Sequence, residues 1–364
     1  GPWDDALLRR VELVVKSPGI PESADSVVAA RTAGVEVISE IELGVRLLSN
    51  PLVGITGTNG KTTTTALVGA MFGAAGVPAE VVGNIGRPLT ELVGAADSSA
   101  WIVCELSSFQ LEGVVTLRPR VAVLTNLEPD HLDRHGSFEA YAALKLRLFR
   151  LQQPDDTAVV PVGFRPVPGR ARRIAFAARD PLPAEPRLPG AHNRENAAAA
   201  TAAARAAGLP DSAIREALLT FAGVPHRIEE LQPVAGVRYV NDSKATNVAA
   251  ALRALASFPG ERLHVILGGR GKRESYAPLA AALKPGDRAY LIGEAAPELA
   301  AALRERGIAH VPAGELETAV ACAAAEARPG DVVLLSPACA SFDQFTSFER
   351  RGEEFGRLVQ KLSG

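Results

Sequence analysis

At 364 residues the chain exceeds a single ordinary domain of roughly 100 to 200 residues, so two or three are expected. A hydrophobic content of 47% with 22% charged residues suits cores that need no disulfide or metal staple, and a formal net charge of −2 argues against a general nucleic-acid binder, which needs a basic surplus to neutralise phosphates. The three cysteines, Cys104, Cys322 and Cys339, lack CxxC spacing, so they point to neither a disulfide framework nor a zinc knuckle and fit a reducing cytoplasm.

In chain order, the β-branched run Val11–Val15 predicts a strand, Ser17-Pro18-Gly19 a turn, Ser23–Ala33 a helix and Val35–Ile38 another strand. So few elements make a poor independent core, and residues 1–39 are expected to be the remnant of a larger α/β domain. The only methionine is Met71, so Gly1-Pro2 is not read as the initiating end, and a fragment or processed product is expected. Leu52–Ile55 predicts a buried strand, followed by a glycine-rich turn and the helix Thr62–Ala74. Strands follow at Trp101–Glu105, Val121–Thr125 and Thr157–Val160, with helices over Phe138–Leu151 and Glu195–Ala207. Residues 161–189, crowded with Pro and Arg, predict loops or short edge strands. The near-continuous alanine of 197–207 contains Arg205 and is too short to span a bilayer, so no membrane segment is expected. A boundary is expected near Gly223-Val224-Pro225, and strands at Val237–Asn241, Leu263–Gly268, Ala289–Ile292 and Val332–Ser336 predict a second α/β pattern. The expected organisation is α/β throughout: residues 1–39 partial, 40–223 a P-loop domain with a mostly parallel sheet, 224–364 a Rossmann-like domain.

Gly57-Thr58-Asn59-Gly60-Lys61-Thr62 lies between a predicted strand and a predicted helix, the context of a P-loop. Glycines let backbone N–H groups close around phosphate oxygens and the helix N-terminus adds partial positive charge; a lysine reaches the terminal phosphates and a threonine hydroxyl can ligate Mg²⁺. The generic pattern wants glycine five residues before Gly60, where Ile55 stands. Nucleotide binding is favoured over a chance glycine-rich turn, but phosphate cradling alone names no reaction.

Thr56–Thr63 (TGTNGKTT) resembles the ATP loop of the Mur ligase family, whose superfamily includes the folylpolyglutamate synthetases. Further stretches match that family in order: Glu105–Leu111 (ELSSFQL), Asn126–Asp133 (NLEPDHLD), Gly190–Asn193 (GAHN), His226-Arg227, Asn241–Asn247 (NDSKATN) and Ser336–Ser341 (SPACAS). ELSSFQL, NDSKATN and SPACAS favour the branch that adds D-glutamate to UDP-N-acetylmuramoyl-L-alanine in peptidoglycan precursor synthesis. The resemblance implies ATP, a pair of Mg²⁺ ions, an acyl-phosphate intermediate and a cytoplasmic enzyme, expected to be a monomer.

Residue by residue, the resemblance implies that Gly57, Thr58, Asn59, Gly60, Lys61, Thr62 and Thr63 hold the nucleotide phosphates, with Asn193 and Asn196 near adenine, Arg227 reaching the nucleotide and Asp242 the ribose. It makes Glu105 a Mg²⁺ ligand together with Thr62, and His131 a ligand of the second ion as well as a substrate contact. Lys145 matches the position that is carbamylated, a reaction that needs a neutral amine and so a reduced lysine pKa or a stabilised product. Lys61, Glu105, His131 and Lys145 form the implied catalytic set. Gly19, Asn84 and Ser107 are implied to meet the precursor or phosphates, and Lys244, Thr246, Lys272, Ser341, Phe342 and Phe348 to receive D-glutamate or line its pocket. Arg270 stands where relatives are often acidic. Considered alone, Lys145 fits a surface lysine, His131 an exposed histidine, Asn84 a turn former and Glu105 an ordinary strand-end carboxylate. The rival functions are another ligase of the superfamily, such as a folylpolyglutamate synthetase, and a nucleotide-binding module without catalysis. An incomplete first domain would weaken precursor binding, and with it ligation.

Overall fold

The computed structural model describes residues 10–84, 86–164, 167–188, 190–271 and 274–363; Lys272 therefore lies outside the described residues. The chain divides into two compact units, Gly1–Ala222 and Gly223–Gly364.

The first unit opens with β1 (Leu13–Lys16) and β2 (Glu36–Ser39), a parallel pair joined through the helix Asp25–Thr32. The fully buried apolar set beneath them is small: Val27, Ala30 and Val37. Charge supplements it, because Lys16 is 3% exposed and its ammonium meets Glu112 at 2.7 Å and Glu22 at 3.0 Å. Truncating one member of so buried a pair leaves an uncompensated charge, so this contact fixes the small sheet to the rest of the unit.

The main sheet of this unit contains β3 (Leu52–Thr56), β4 (Ala79–Gly83), β5 (Trp101–Glu105), β6 (Val121–Leu124), β7 (Thr157–Pro161) and β8 (Arg172–Phe176). They are all parallel, in the order β4-β5-β3-β6-β7-β8. Both faces are covered, which is why β3, β5 and β6 read as continuous apolar runs rather than alternating ones. One face packs against the helices Lys61–Ala74, Ala191–Ala206 and Asp211–Thr220, the other against a cluster that includes Ile41, Leu89, Leu111 and Phe149. The alanine run has its explanation here: Ala197–Ala200, Ala203 and Ala204 are all buried, and such short side chains let neighbouring helix axes approach closely. The Pro- and Arg-rich segment supplies the edge strand β8, where exposed Arg172 and Arg173 are tolerated.

The second unit holds β9 (Glu229–Glu230), β10 (Arg238–Asn241), β11 (Leu263–Gly268), β12 (Arg288–Ile292), β13 (Ala309–Gly314) and β14 (Val332–Leu335). Their order is β13-β12-β11-β14-β10-β9, parallel except for the short edge strand β9. Helices Val248–Ala256, Ala277–Ala282 and Ala296–Glu305 cover one face, and Leu316–Glu326 and Phe348–Lys361 the other. Besides the two-residue β9, the sequence reading missed β4 and β13. The former is a short stretch bounded by Pro78 and Gly83, and the latter carries Pro312, which a sheet edge accepts. The helix expected over Phe138–Leu151 ends at Leu146 and tightens into a 3₁₀ turn, Arg147–Phe149.

Candidate active site

In a parallel sheet the carboxyl ends of the strands, where the strand order reverses, form a natural crevice. In the first unit this point lies around β3, with β5 on one side and β6 on the other. The turn after β3 enters the helix Lys61–Ala74 through Gly60, at φ +79° with no side chain capping the helix, so its first N–H groups suit an anion. A Cβ on Gly57, at φ +149°, would stand 1.9 Å from Thr125 Oγ1, and one on Gly60 2.1 Å from Asn196 Oδ1. Lys61 Nζ folds back to donate to the carbonyls of Gly57 and Thr58, both at 2.9 Å.

The loop is laced to the segment after β6. Asn59 N donates to Asn126 Oδ1 at 2.8 Å, Asn59 Nδ2 to Glu128 Oε2 at 3.0 Å, and Thr125 Oγ1 to the Asn59 carbonyl at 2.6 Å. Thr58 Oγ1 lies 3.1 Å from Tyr141 Oη and accepts from Glu128 N at 3.0 Å. Thr62 is buried behind the loop, while Thr63 and Asn193 line one narrow cleft with Leu67 and Leu188.

Glu105 ends β5 and is 1% exposed. Its Oε1 accepts from Asn84 Nδ2 at 2.8 Å, whereas Oε2 is buried without a hydrogen-bond partner. An orphaned carboxylate oxygen beside a phosphate loop suits a divalent cation. Asn84 also donates its backbone N–H to the Glu105 carbonyl at 2.9 Å, so it is at once a turn residue and a neighbour of the carboxylate. Among the described residues no three His, Cys, Asp or Glu side chains gather around one point.

Lys145 is 2% exposed, not the surface lysine that its helix alone would suggest. Its Nζ donates to the Gly57 carbonyl at 2.7 Å and lies 4.7 Å from the centre of the Tyr141 ring. Burial, reinforced by the charge of Lys61, pulls its pKa down to about 7. Tyr141 thus touches both Thr58 and Lys145. Sequence reasoning missed it, although its place four residues before Lys145 puts the two on one helical face.

His131 sits at φ +52°, half-exposed, with its ring 5.0 Å from that of Phe109 and Nε2 3.6 Å from Asp130 Oδ2. Ser107 caps the helix Ser108–Leu111, and its hydroxyl donates to Gln110 Oε1 at 3.0 Å. Gly19 lies in the turn after β1, in which Ile20 N donates to the Ser17 carbonyl.

The second unit brings its motifs together at its own strand ends. Asp242, just after β10, accepts from Ser336 Oγ at 2.8 Å and from Ile228 N at 3.2 Å, and burial raises its pKa to about 6. Arg227 follows His226, whose Nδ1 is 2.9 Å from Asn241 Nδ2. Lys244 Nζ is 5.9 Å from the centre of the Phe348 ring. Thr246 lies in the turn that leads to Asn247, which caps the helix Val248–Ala256. Ser341 is buried and Phe342 exposed at 63%. The backbone of Arg270 pairs with that of Ala340, and its side chain reaches Glu294 at 3.2 Å.

Two family models match the chain: the Mur ligase middle domain over residues 55–165 and the Mur ligase glutamate ligase domain over residues 226–339. A UDP-N-acetylmuramoylalanine–D-glutamate ligase of Anaeromyxobacter dehalogenans is 45% identical, covering 99% of this chain and 86% of that protein. The chain belongs to the Mur ligase family. A second Mur ligase of the same printed name, from Myxococcus xanthus, is 44% identical over 100% of this chain and 87% of its own length. Among solved structures, a MurF ligase of Thermotoga maritima in complex with ADP aligns with a TM-score of 0.62 at 19% identity, covering 97% of both chains. FolC of E. coli, also with ADP, aligns at 0.60 and 21% identity, covering 89% of this chain and 93% of that one. At such identities these structures establish the Mur ligase fold alone.

Proposed function

We propose that this protein joins D-glutamate to UDP-N-acetylmuramoyl-L-alanine, forming an amide and releasing ADP and phosphate from ATP, in peptidoglycan precursor synthesis. The observation that carries the reading is near-full-length identity of 41–46% to relatives that all bear that name. The folylpolyglutamate synthetase reading rests on structural likeness at 20–21% identity only, and the non-catalytic reading leaves the environments of Glu105 and Lys145 without a purpose.

A carboxylate is a poor electrophile because oxide is a poor leaving group. Attack of the L-alanyl carboxylate on the γ-phosphoryl group of ATP gives an acyl phosphate and ADP. The D-glutamate amine then attacks the acyl carbon, phosphate leaves, and the amine surrenders a proton. In this reading Gly57–Thr63 cradle the phosphates, Lys61 turns from the loop carbonyls to the γ-phosphate, and Glu105 and Thr62 hold one Mg²⁺. His131 and carbamylated Lys145 hold a second. Mg²⁺, when bound, neutralises the charge gathered where phosphate meets carboxylate. A neutral Lys145 amine adds CO₂ to give a carbamate and a proton, and its depressed pKa makes that amine available near neutral pH.

Asn84, Ser107, His131 and Gly19 serve the precursor, Asn193, Asn196, Arg227 and Asp242 the nucleoside and phosphates, and Lys244, Thr246, Lys272, Ser341, Phe342 and Phe348 the glutamate. Residues 1–39 belong with the UDP moiety, 40–223 with ATP and 224–364 with the amino acid. On this reading the protein acts as a cytoplasmic monomer. Among the described residues no helix is long and apolar enough to cross a membrane. The test is phosphate release that requires the precursor and D-glutamate together.

A further inference from the structure

The C-terminal helix Phe348–Lys361 places a guanidinium where the sequence reading assigned no role. Arg351 is 0% exposed, among the largest fully buried side chains of the chain. Its hydrogen bonds all run to neutral oxygens: Nε to Ser243 Oγ at 3.0 Å, Nη2 to the Ser243 carbonyl at 2.9 Å and the Cys339 carbonyl at 3.2 Å, and Nη1 to the Ala340 carbonyl at 3.4 Å. Asp343 acts on it through space only. Burial lowers its pKa to about 10, so it remains a cation at neutral pH.

Ser243 belongs to the turn after β10, Cys339 and Ala340 to the turn after β14. The same fork therefore bonds both segments, and the residues that follow are Lys244 and Thr246 in one, Ser341 and Phe342 in the other. A third turn is fitted to the same point, since a Cβ on Gly269 would stand 2.2 Å from the Ala340 carbonyl and 3.2 Å from Arg351 Nη1. The helix adds a further tie, as Ser243 Oγ donates to the Phe348 carbonyl at 2.8 Å. A rigid five-donor fork suits this task in a way a lysine cannot. A buried cation whose partners are all neutral also carries a desolvation cost that carbonyl dipoles offset only in part, and an anion arriving at these segments offsets more of it.

We propose that Arg351 is a positioning residue for the acidic amino acid: it locks the turns after β10 and β14 in a single arrangement and lends its charge, which no carboxylate meets in a salt bridge, to the pocket they frame. This rests on the ligase reading above. The experiment is steady-state ligation by the full chain and by Arg351→Lys, varying D-glutamate, ATP and precursor in turn, with thermal unfolding of both proteins. Lysine keeps the charge but supplies no fork, and loss of the charge-assisted hydrogen bonds should raise KM for D-glutamate about tenfold. KM for ATP and for the precursor should stay within about twofold.

A merely structural role would lower the melting temperature and the active fraction, hence kcat, and leave KM for D-glutamate unchanged; that result overturns the inference. If Arg351→Lys does not fold, Ser243→Ala removes one acceptor of the fork. It should raise the same KM about threefold, and an unchanged KM overturns the inference equally. Wild-type protein that ligates no D-glutamate would instead count against the ligase reading itself.

Discussion

The sharpest consequence of the geometry concerns the Lys145 amine. An ordinary lysine with pKa near 10.4 leaves fewer than about one amine in a thousand neutral at pH 7. Buried and beside Lys61, this one titrates at about 7, so about half is neutral at pH 7, about nine-tenths at pH 8 and about one-tenth at pH 6. Because only the neutral amine adds CO₂, the rate of carbamate formation at fixed dissolved CO₂ should fall about tenfold between pH 8 and pH 6. The assay is phosphate release at saturating substrates in CO₂-depleted buffer, followed by bicarbonate addition, with a ¹³C spectrum of protein given labelled bicarbonate. Bicarbonate should raise the rate, more at pH 8 than at pH 6, and a carbamate carbon should appear that Lys145→Arg lacks. Lys145→Arg should also lose at least about a hundredfold in kcat, since arginine keeps the cation and cannot become the anion. Full activity of Lys145→Arg, or no labelled carbamate in active enzyme, would refute the argument.

The remaining site makes further demands. Glu105→Gln keeps an oxygen to accept from Asn84 but removes the charge of the orphaned Oε2, so half-saturation by Mg²⁺ should rise at least about tenfold with little change in melting temperature; an unchanged Mg²⁺ titration would remove Glu105 from the metal site. Gly57→Ala places a Cβ 1.9 Å from Thr125 Oγ1 at φ +149°, and such a clash on strained backbone should cost about 2 kcal/mol or more in denaturant unfolding as well as ATP affinity. A loss under about 0.5 kcal/mol would contradict the close approach. Asp242 has its folded pKa raised to about 6 from an ordinary 3.8, so its ionised form weakens the fold above pH 6 and the strain is relieved as pH falls through 6 towards 4. Asp242→Asn should therefore gain about 1 to 3 kcal/mol over wild type at pH 7.5, keep about half of that advantage at pH 5 and lose most of it by pH 4, as urea unfolding at the three pH values would show.

Much of the fold was legible because buried parallel strands carry unbroken apolar runs: Leu52–Ile55, Val121–Leu124 and Val332–Leu335 need no alternation to be recognised. Edge strands give a weaker signal, and β13 with its proline and β4 between Pro78 and Gly83 were lost for that reason. The ATP loop was readable since its glycines, lysine and threonine are fixed by phosphate chemistry. The surroundings of the loop were not. Tyr141 and Asn126 act through contacts made only when distant segments meet, and no local pattern marks Arg351 as buried, because a charged residue on an amphipathic C-terminal helix ordinarily faces water. Lys145 shows the same limit from the other side, since its helix reads as surface and its depth of burial is a tertiary fact.

The most direct test of the whole account is phosphate release from MgATP with UDP-N-acetylmuramoyl-L-alanine, comparing D-glutamate, L-glutamate and no amino acid. The account predicts release that requires both the precursor and D-glutamate, with stoichiometric amide product and little turnover with L-glutamate. Protein that binds ATP yet releases no phosphate with D-glutamate, or that prefers L-glutamate, would contradict it.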